Sequence, residues 1–135
     1  MSTEESTFDT SRRRLLIVDD NVALVRVTQF AFDRAGFATQ TAVNGADALE
    51  LARQEVFDLV ITDQQMPVMS GTELCANLRL LDNYRDTPIV MLTAKGLEME
   101  IERLREEFAV QALFPKPFSP SAVVSAVEKM LAVAV

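Results

Sequence analysis

The stretch Phe57 to Gly71, FDLVITDQQMPVMSG, limits the possible folds more than any other part of the chain. Phe57, Leu59, Val60 and Ile61 form a short apolar, partly β-branched run, the pattern of a strand covered on both faces. Such strands belong to parallel sheets held between layers of helices. Asp63 stands at the carboxyl end of the run and Met66-Pro67 turns the chain. Ser70-Gly71-Thr72-Glu73 then fits a capping box, with Ser70 as N-cap and Glu73 reaching back. In open parallel α/β sheets the working crevice lies outside the carboxyl ends of the strands, which puts Asp63 where chemistry is done.

The remaining segments repeat this unit. Met1 to Ser11 is polar and acidic without periodicity and is expected to be mobile. Arg12-Arg13-Arg14 reads as the solvated start of a strand, with an anion site as the alternative. Leu15 to Val18 is a fully apolar strand ending on Asp19-Asp20, and Asn21 caps a helix whose apolar positions are Val22, Val25, Phe30 and Ala31. Gly36 closes that helix. Phe37 to Val43 reads as a strand, Asn44-Gly45 as a turn, and Ala46 to Gln54 as a helix with Ala48, Leu49 and Ala52 inward. After the central strand come a helix over Thr72 to Leu81 and a polar link, Asp82 to Thr87.

Pro88 to Leu92 is a fourth strand, ending on Thr93-Ala94. Gly96 to Phe108 is a charged helix with Ile101 and Leu104 inward, and Val110 to Phe114 is a short fifth strand running into Pro115-Lys116-Pro117-Phe118. Ser119-Pro120 is an N-cap and N1 pair for a last helix, Ser121 to Val135, with Val123, Val124, Val127 and Leu131 apolar. Strand and helix alternate five times, which implies an α/β fold with a doubly wound five-stranded parallel sheet, and order 2-1-3-4-5 is one of the two common arrangements.

Composition narrows function. A chain of 135 residues makes one domain, large enough to do without a disulfide or metal staple. A net charge of −7 speaks against a general nucleic-acid surface. Cys75 is the sole cysteine, so no internal disulfide forms, and on an amphipathic helix it reads as a small core residue. The polar start is unlike a signal peptide, and no apolar run approaches the ~18 residues of a membrane span. With no histidine present, histidine catalysis and most zinc sites are excluded.

In the order 2-1-3-4-5 the first and third strands are neighbours, so Asp19, Asp20 and Asp63 converge at one sheet edge, with Thr93 and Lys116 beside them. Clustered carboxylates raise one another's pKa unless a cation intervenes. An oxygen-only donor set suits Mg²⁺ far better than zinc. Thr93 offers a hydroxyl and Lys116 a point charge, both suited to a group with several anionic oxygens. The reaction this implies is phosphoryl transfer to a carboxylate, with Asp63 as nucleophile and the metal neutralising charge.

The pieces LLIVDDN (Leu15 to Asn21), DLVITDQQMPVMSG (Asp58 to Gly71), Thr93-Ala94 and KPF (Lys116 to Phe118) stand in order and at the spacing of a known family. The chain resembles the receiver domain of two-component response regulators, such as the single-domain chemotaxis regulator, over about residues 13 to 133. The resemblance implies a flavodoxin-like (βα)5 fold over residues 13–135, with residues 1–12 as a flexible tail. It implies that Asp63 accepts phosphate from a histidine kinase or histidine phosphotransfer protein. Asp20 and Asp63 would ligate Mg²⁺ with the backbone carbonyl of Gln65, Asp19 would assist, and Thr93 and Lys116 would contact the phosphoryl group. The Lys116-Pro117 bond would be cis. The module would act on a separate output protein in the cytoplasm, without binding nucleic acid or inserting into a membrane. It would be no enzyme beyond its own phosphorylation and dephosphorylation.

Leu113 departs from the family, which usually has an aromatic residue three places before the lysine. That puts the aromatic half of the switch formed with Thr93 in doubt. Gln65 and Lys95 occupy variable positions that in this family tune dephosphorylation. Other functions fit less well. An aspartate-nucleophile phosphohydrolase resembles a DxDx[TV] pattern, and Asp19-Asp20-Asn21-Val22 lacks that spacing. A flavodoxin-like electron carrier needs a Ser/Thr/Gly-rich phosphate loop where this chain has two acids. A receiver that binds partners without phosphorylation would have no use for the complete acidic set.

Overall fold

The computed structural model describes residues 12–94 and 98–133. Five strands, β1 (Arg14–Val18), β2 (Ala38–Ala42), β3 (Leu59–Asp63), β4 (Ile89–Thr93) and β5 (Ala112–Pro115), form one sheet in the order β2-β1-β3-β4-β5. Every neighbouring pair is parallel. The helices are α1 (Val22–Arg34), α2 (Gly45–Gln54), α3 (Gly71–Arg79), α4 (Glu98–Phe108) and α5 (Pro120–Val133), with a 3-10 turn at Asp82–Tyr84.

Alternation along each strand divides the core in two. Leu16, Val18, Val60, Ile89 and Met91 face α2, α3 and α4, while Leu15, Ile17, Leu59, Ile61, Val90 and Leu92 face α1 and α5. Both sides of β1, β3 and β4 are therefore covered, which is why these strands read as unbroken apolar runs. Ala48, Leu49 and Ala52 of α2, Cys75 of α3, Leu104 of α4, and Val123, Val124, Val127 and Leu131 of α5 are all buried.

Local signals hold at the helix ends. Asn21 accepts the Leu24 N–H, and Ser70 and Glu73 form the reciprocal capping box. Gly36 ends α1 at φ +99°, a conformation that costs other residues more than glycine. Asn44 does more than turn the chain: its side chain accepts the Asp47 N–H and caps α2, which begins at Gly45.

The inward face of α1 differs from expectation. Phe30 is 62% exposed and Val22 is also exposed, while Phe32, Val25 and Thr28 are buried. Phe32 meets Phe37 edge to face at 5.4 Å, a contact available only after the chain turns at Gly36. Asp82 to Thr87 is not a plain polar link. Its Tyr84 is buried, donates to Ala52 O and Glu55 O, and accepts the Phe57 N–H. Arg79 binds the carbonyls of Tyr84, Arg85, Thr87, Phe108 and Ala109, which ties the end of α3 to the end of α4.

Element bounds shift slightly. Phe57 is buried but precedes β3, α3 stops at Arg79, and β5 starts at Ala112. Arg12 donates to Gly36 O and Phe37 O, so its guanidinium is spent on the end of α1 rather than held for an anion. The tail through Ser11, Lys95, Gly96 and the side chain of Ile101 lie outside the described residues.

Val68 lies in the β3–α3 loop at φ +72° and is 84% exposed. Met69 N donates to Pro67 O at 2.7 Å, which makes a tight three-residue turn centred on Val68. A β-branched residue is a poor occupant of that conformation, and burial gives nothing back. Val68→Asn is expected to stabilise the protein by about 1 kcal/mol, read as a higher urea midpoint at unchanged slope. A lower midpoint would show that the turn is set by side-chain contacts instead.

Candidate functional site

The carboxyl ends of β1, β3, β4 and β5 meet at one edge. Asp19 follows β1, and its backbone N–H reaches Ala42 O at 3.2 Å. Its side chain is 1% exposed, with Oδ1 accepting the Asn21 N–H at 3.0 Å. Asp63 ends β3, beside Leu92 of β4 in register, and is 4% exposed. Asp20 sits at the surface between Asp19 and the cap of α1. One carboxylate oxygen from each of Asp19, Asp20 and Asp63 lies within 4.8 Å of the others.

Lys116 reaches into this group from the end of β5. Its Nζ lies 3.1 Å from Asp19 Oδ2 and 3.3 Å from Asp63 Oδ1. Its backbone N–H donates to Thr93 O at 2.7 Å, which fixes the side chain's point of departure, and the following bond to Pro117 is cis. Thr93 is buried at the end of β4, with its hydroxyl donating to Ala94 O at 3.3 Å. Leu113 pairs with Met91 in register and packs half-buried on the α2–α4 side of the sheet, the side that Thr93 also faces by alternation. Gln65 is exposed on the β3–α3 loop.

The charges are coupled. Burial raises the Asp63 pKa, and the Asp19 carboxylate raises it further; the Lys116 ammonium and the Gln64 backbone N–H offset part of this. Burial alone would lower Lys116, but its hydrogen bond to Asp19 and the charge of Asp63 outweigh that, and its pKa is raised. Three carboxylates face one ammonium, so with all four ionised the group keeps two negative charges. That remainder and the all-oxygen donor set match a divalent hard cation.

Three features went unread in the sequence. Gln64 is 9% exposed and hydrogen-bonds to Thr72 at the start of α3. Gly71 cannot carry a Cβ, which would collide with the backbone of Asp63 and Gln64. Gly45 likewise lets the start of α2 pack against Met69. A Gly directly after a serine N-cap was the one available signal, and it does not say what presses against it.

The sequence and the fold have counterparts among known proteins. A family model described as response regulator receiver domain matches residues 15–128. The alkaline phosphatase synthesis transcriptional regulatory protein PhoP of Bacillus subtilis is 35% identical over 119 residues, covering 88% of this chain and 48% of that protein. This chain spans about half the length of the curated relatives it matches. Among solved structures, chemotaxis protein CheY4 of Vibrio cholerae superposes with a TM-score of 0.83 at 29% identity, over 88% of this chain and 98% of that one. A putative response regulator of Chloroflexus aurantiacus gives 0.82 at 30% identity, over 90% and 99%.

Proposed function

The chain belongs to the response regulator receiver domain family, and we propose that its working event is transfer of a phosphoryl group to Asp63 from a phosphohistidine on a histidine kinase or histidine phosphotransfer protein. The observation that carries this reading is the Lys116 ammonium seated between the buried carboxylates of Asp19 and Asp63. Its charge offsets part of the rise that burial and the Asp19 carboxylate impose on the Asp63 pKa, and so favours the ionised, nucleophilic form.

The Asp63 oxygen forms the O–P bond as the N–P bond of the donor breaks, and the imidazole leaves with the electron pair. The Lys116 ammonium is close enough to exchange part of its contact with Asp63 for a phosphoryl oxygen. The Thr93 hydroxyl, which among the described residues makes a long bond to Ala94 O, can turn toward the same group. Magnesium fits the residues present. Asp20 and Asp63 would hold it directly with the Gln65 carbonyl, and Asp19 would act through its field or a bound water. When bound, Mg²⁺ supplies charge neutralisation to the oxygens of an in-line displacement.

The added charge of roughly −1.5 to −2 then draws Thr93 toward it, and Leu113 repacks behind without a ring to rotate. The result is altered affinity for an output partner, in the cytoplasm where such kinases present their phosphohistidine. Catalysis is confined to the module's own phosphorylation and dephosphorylation. No helix among the described residues is long and apolar enough to cross a membrane.

The test is to incubate the protein with acetyl phosphate and Mg²⁺, trap the acyl phosphate and map it. Label on Asp63 supports the reading, and label elsewhere or none overturns it. Mg²⁺ alone should raise the melting temperature, because ligand at 100 times its Kd adds about 2.7 kcal/mol. Asp20→Asn should lose most of that rise. A variant that keeps the full rise would remove Asp20 from the metal set.

A further inference from the structure

Gln64, next to Asp63 in sequence, has no part in the chemistry described above. Four hydrogen bonds to described residues nonetheless hold it. Its backbone N–H donates to Leu92 O at 2.9 Å, and its carbonyl accepts the Gly71 N–H at 2.9 Å. Its side-chain Oε1 accepts the Thr72 N–H at 2.8 Å, and Nε2 donates to the Thr72 hydroxyl at 2.6 Å. The first two bonds are backbone and would form with almost any residue here. The last two need a side chain with an acceptor and a donor at this length, which an amide provides.

These bonds close a ring. The loop of residues 65–70 leaves the sheet at Gln64 and returns to α3 at Gly71, and both ends meet in the same small cluster. Gly71 is required because any Cβ would press on the Asp63 carbonyl and on the Gln64 amide itself, 2.9 Å from Oε1. The first turn of α3 thus has two side-chain caps, Ser70 on the Glu73 N–H and Gln64 on the Thr72 N–H. Of these two side-chain caps, the Gln64 cap is the one that runs back to the residue beside Asp63, where it adds to the backbone bond from the Gly71 N–H in joining the helix start to the acidic cluster.

We infer that Gln64 is a positioning residue: its amide clamps the base of the β3–α3 loop through Thr72 and so fixes the Gln65 carbonyl and the Asp63 carboxylate relative to each other for Mg²⁺. The inference rests on the reading given under Proposed function. A loop pinned by two backbone bonds alone samples more arrangements of the Gln65 peptide, and each arrangement away from the ligating one lowers affinity. Groups that orient metal ligands typically matter by about tenfold or more when removed.

Mg²⁺ affinity is to be measured by calorimetry on the unphosphorylated full chain, with the unfolding midpoint in EDTA recorded alongside. Gln64→Met keeps the length and loses both polar contacts with Thr72. It should weaken Mg²⁺ binding about tenfold and speed hydrogen exchange of the amides in residues 65–69. Ser70→Ala removes the other cap of the same helix. It should lower stability to a similar degree and leave the Mg²⁺ affinity at the wild-type value. Thr72→Val, which loses the hydroxyl but keeps its N–H bond to Gln64, should fall between, and it carries the test if Gln64→Met does not fold. Equal Mg²⁺ affinity in wild type and the Gln64 or Thr72 variants overturns the inference, as does an equal loss in Ser70→Ala, which would make Gln64 a helix cap and nothing more. Wild type that binds no Mg²⁺ at millimolar concentration overturns the parent reading instead.

Discussion

Asp63→Asn is expected to lose acyl phosphate labelling to background and, in EDTA, to melt a few degrees higher than wild type. Both effects come from the same carboxylate. The amide that replaces it is no nucleophile at phosphorus, and among the described residues the other acids of the cluster are placed differently. Asp19 has one oxygen engaged by the Asn21 N–H and the other by Lys116, and Asp20 lies at the surface. The stability gain follows from the pKa. Burial and the Asp19 charge raise Asp63 above the ordinary carboxylate value, so its ionised form weakens the fold at neutral pH. A raised acid binds more protons folded than unfolded, so its penalty is present above the folded pKa and fades as pH falls toward the unfolded value near ~4. The gap in melting temperature between Asp63→Asn and wild type should therefore narrow as pH is lowered from neutrality. A variant that labels normally, or one less stable than wild type at pH 7 in EDTA, would contradict the assignment.

Lys116→Gln should slow phosphorylation by acetyl phosphate about 10²-fold, the usual cost of removing one preorganised charge from a transition state that gathers negative charge. It should also destabilise the protein in EDTA by about 2 kcal/mol. That is below the 3–5 kcal/mol typical of breaking a buried pair, because Asp63 can take up a proton once the ammonium is gone. The raised lysine contributes stability that is fully present below its unfolded pKa of about 10.4 and lost as pH rises through the folded value. Mg²⁺ should bind more tightly to this variant than to wild type, since the cation that repels it has been removed while all three carboxylates remain. Tighter binding with slower labelling separates the two roles of positive charge at this site. If labelling is unchanged, the ammonium serves the fold alone. If Mg²⁺ binding weakens, Lys116 supports the cluster by holding its shape rather than by its charge.

The strand order and the meeting of Asp19, Asp20, Asp63, Thr93 and Lys116 were legible in the sequence because they rest on short-range rules. An apolar run of strand length, a polar residue at its carboxyl end and a capped helix after it fix each βα unit locally. Parallel crossovers then leave few ways to stack five of them. Asn21, Ser70, Glu73 and Gly36 could be read for the same reason: each acts within a few residues of itself. Facts that depend on what comes from elsewhere in the chain could not be read. α1 offers apolar residues on more than one side, and Phe32 is chosen over Phe30 because Phe37 returns beneath it. Tyr84 and Arg79 find their carbonyl partners up to 30 or more residues away. Gln64 looks no different from Gln65 until α3 folds back and offers it Thr72. The position of Lys116 at the edge followed from the topology, but its contact with both Asp19 and Asp63 depends on how β5 leaves the sheet beside Thr93. Sequence pattern encodes periodicity and local capping, whereas the pairing of a long polar side chain is settled by the distances that only the packed chain creates.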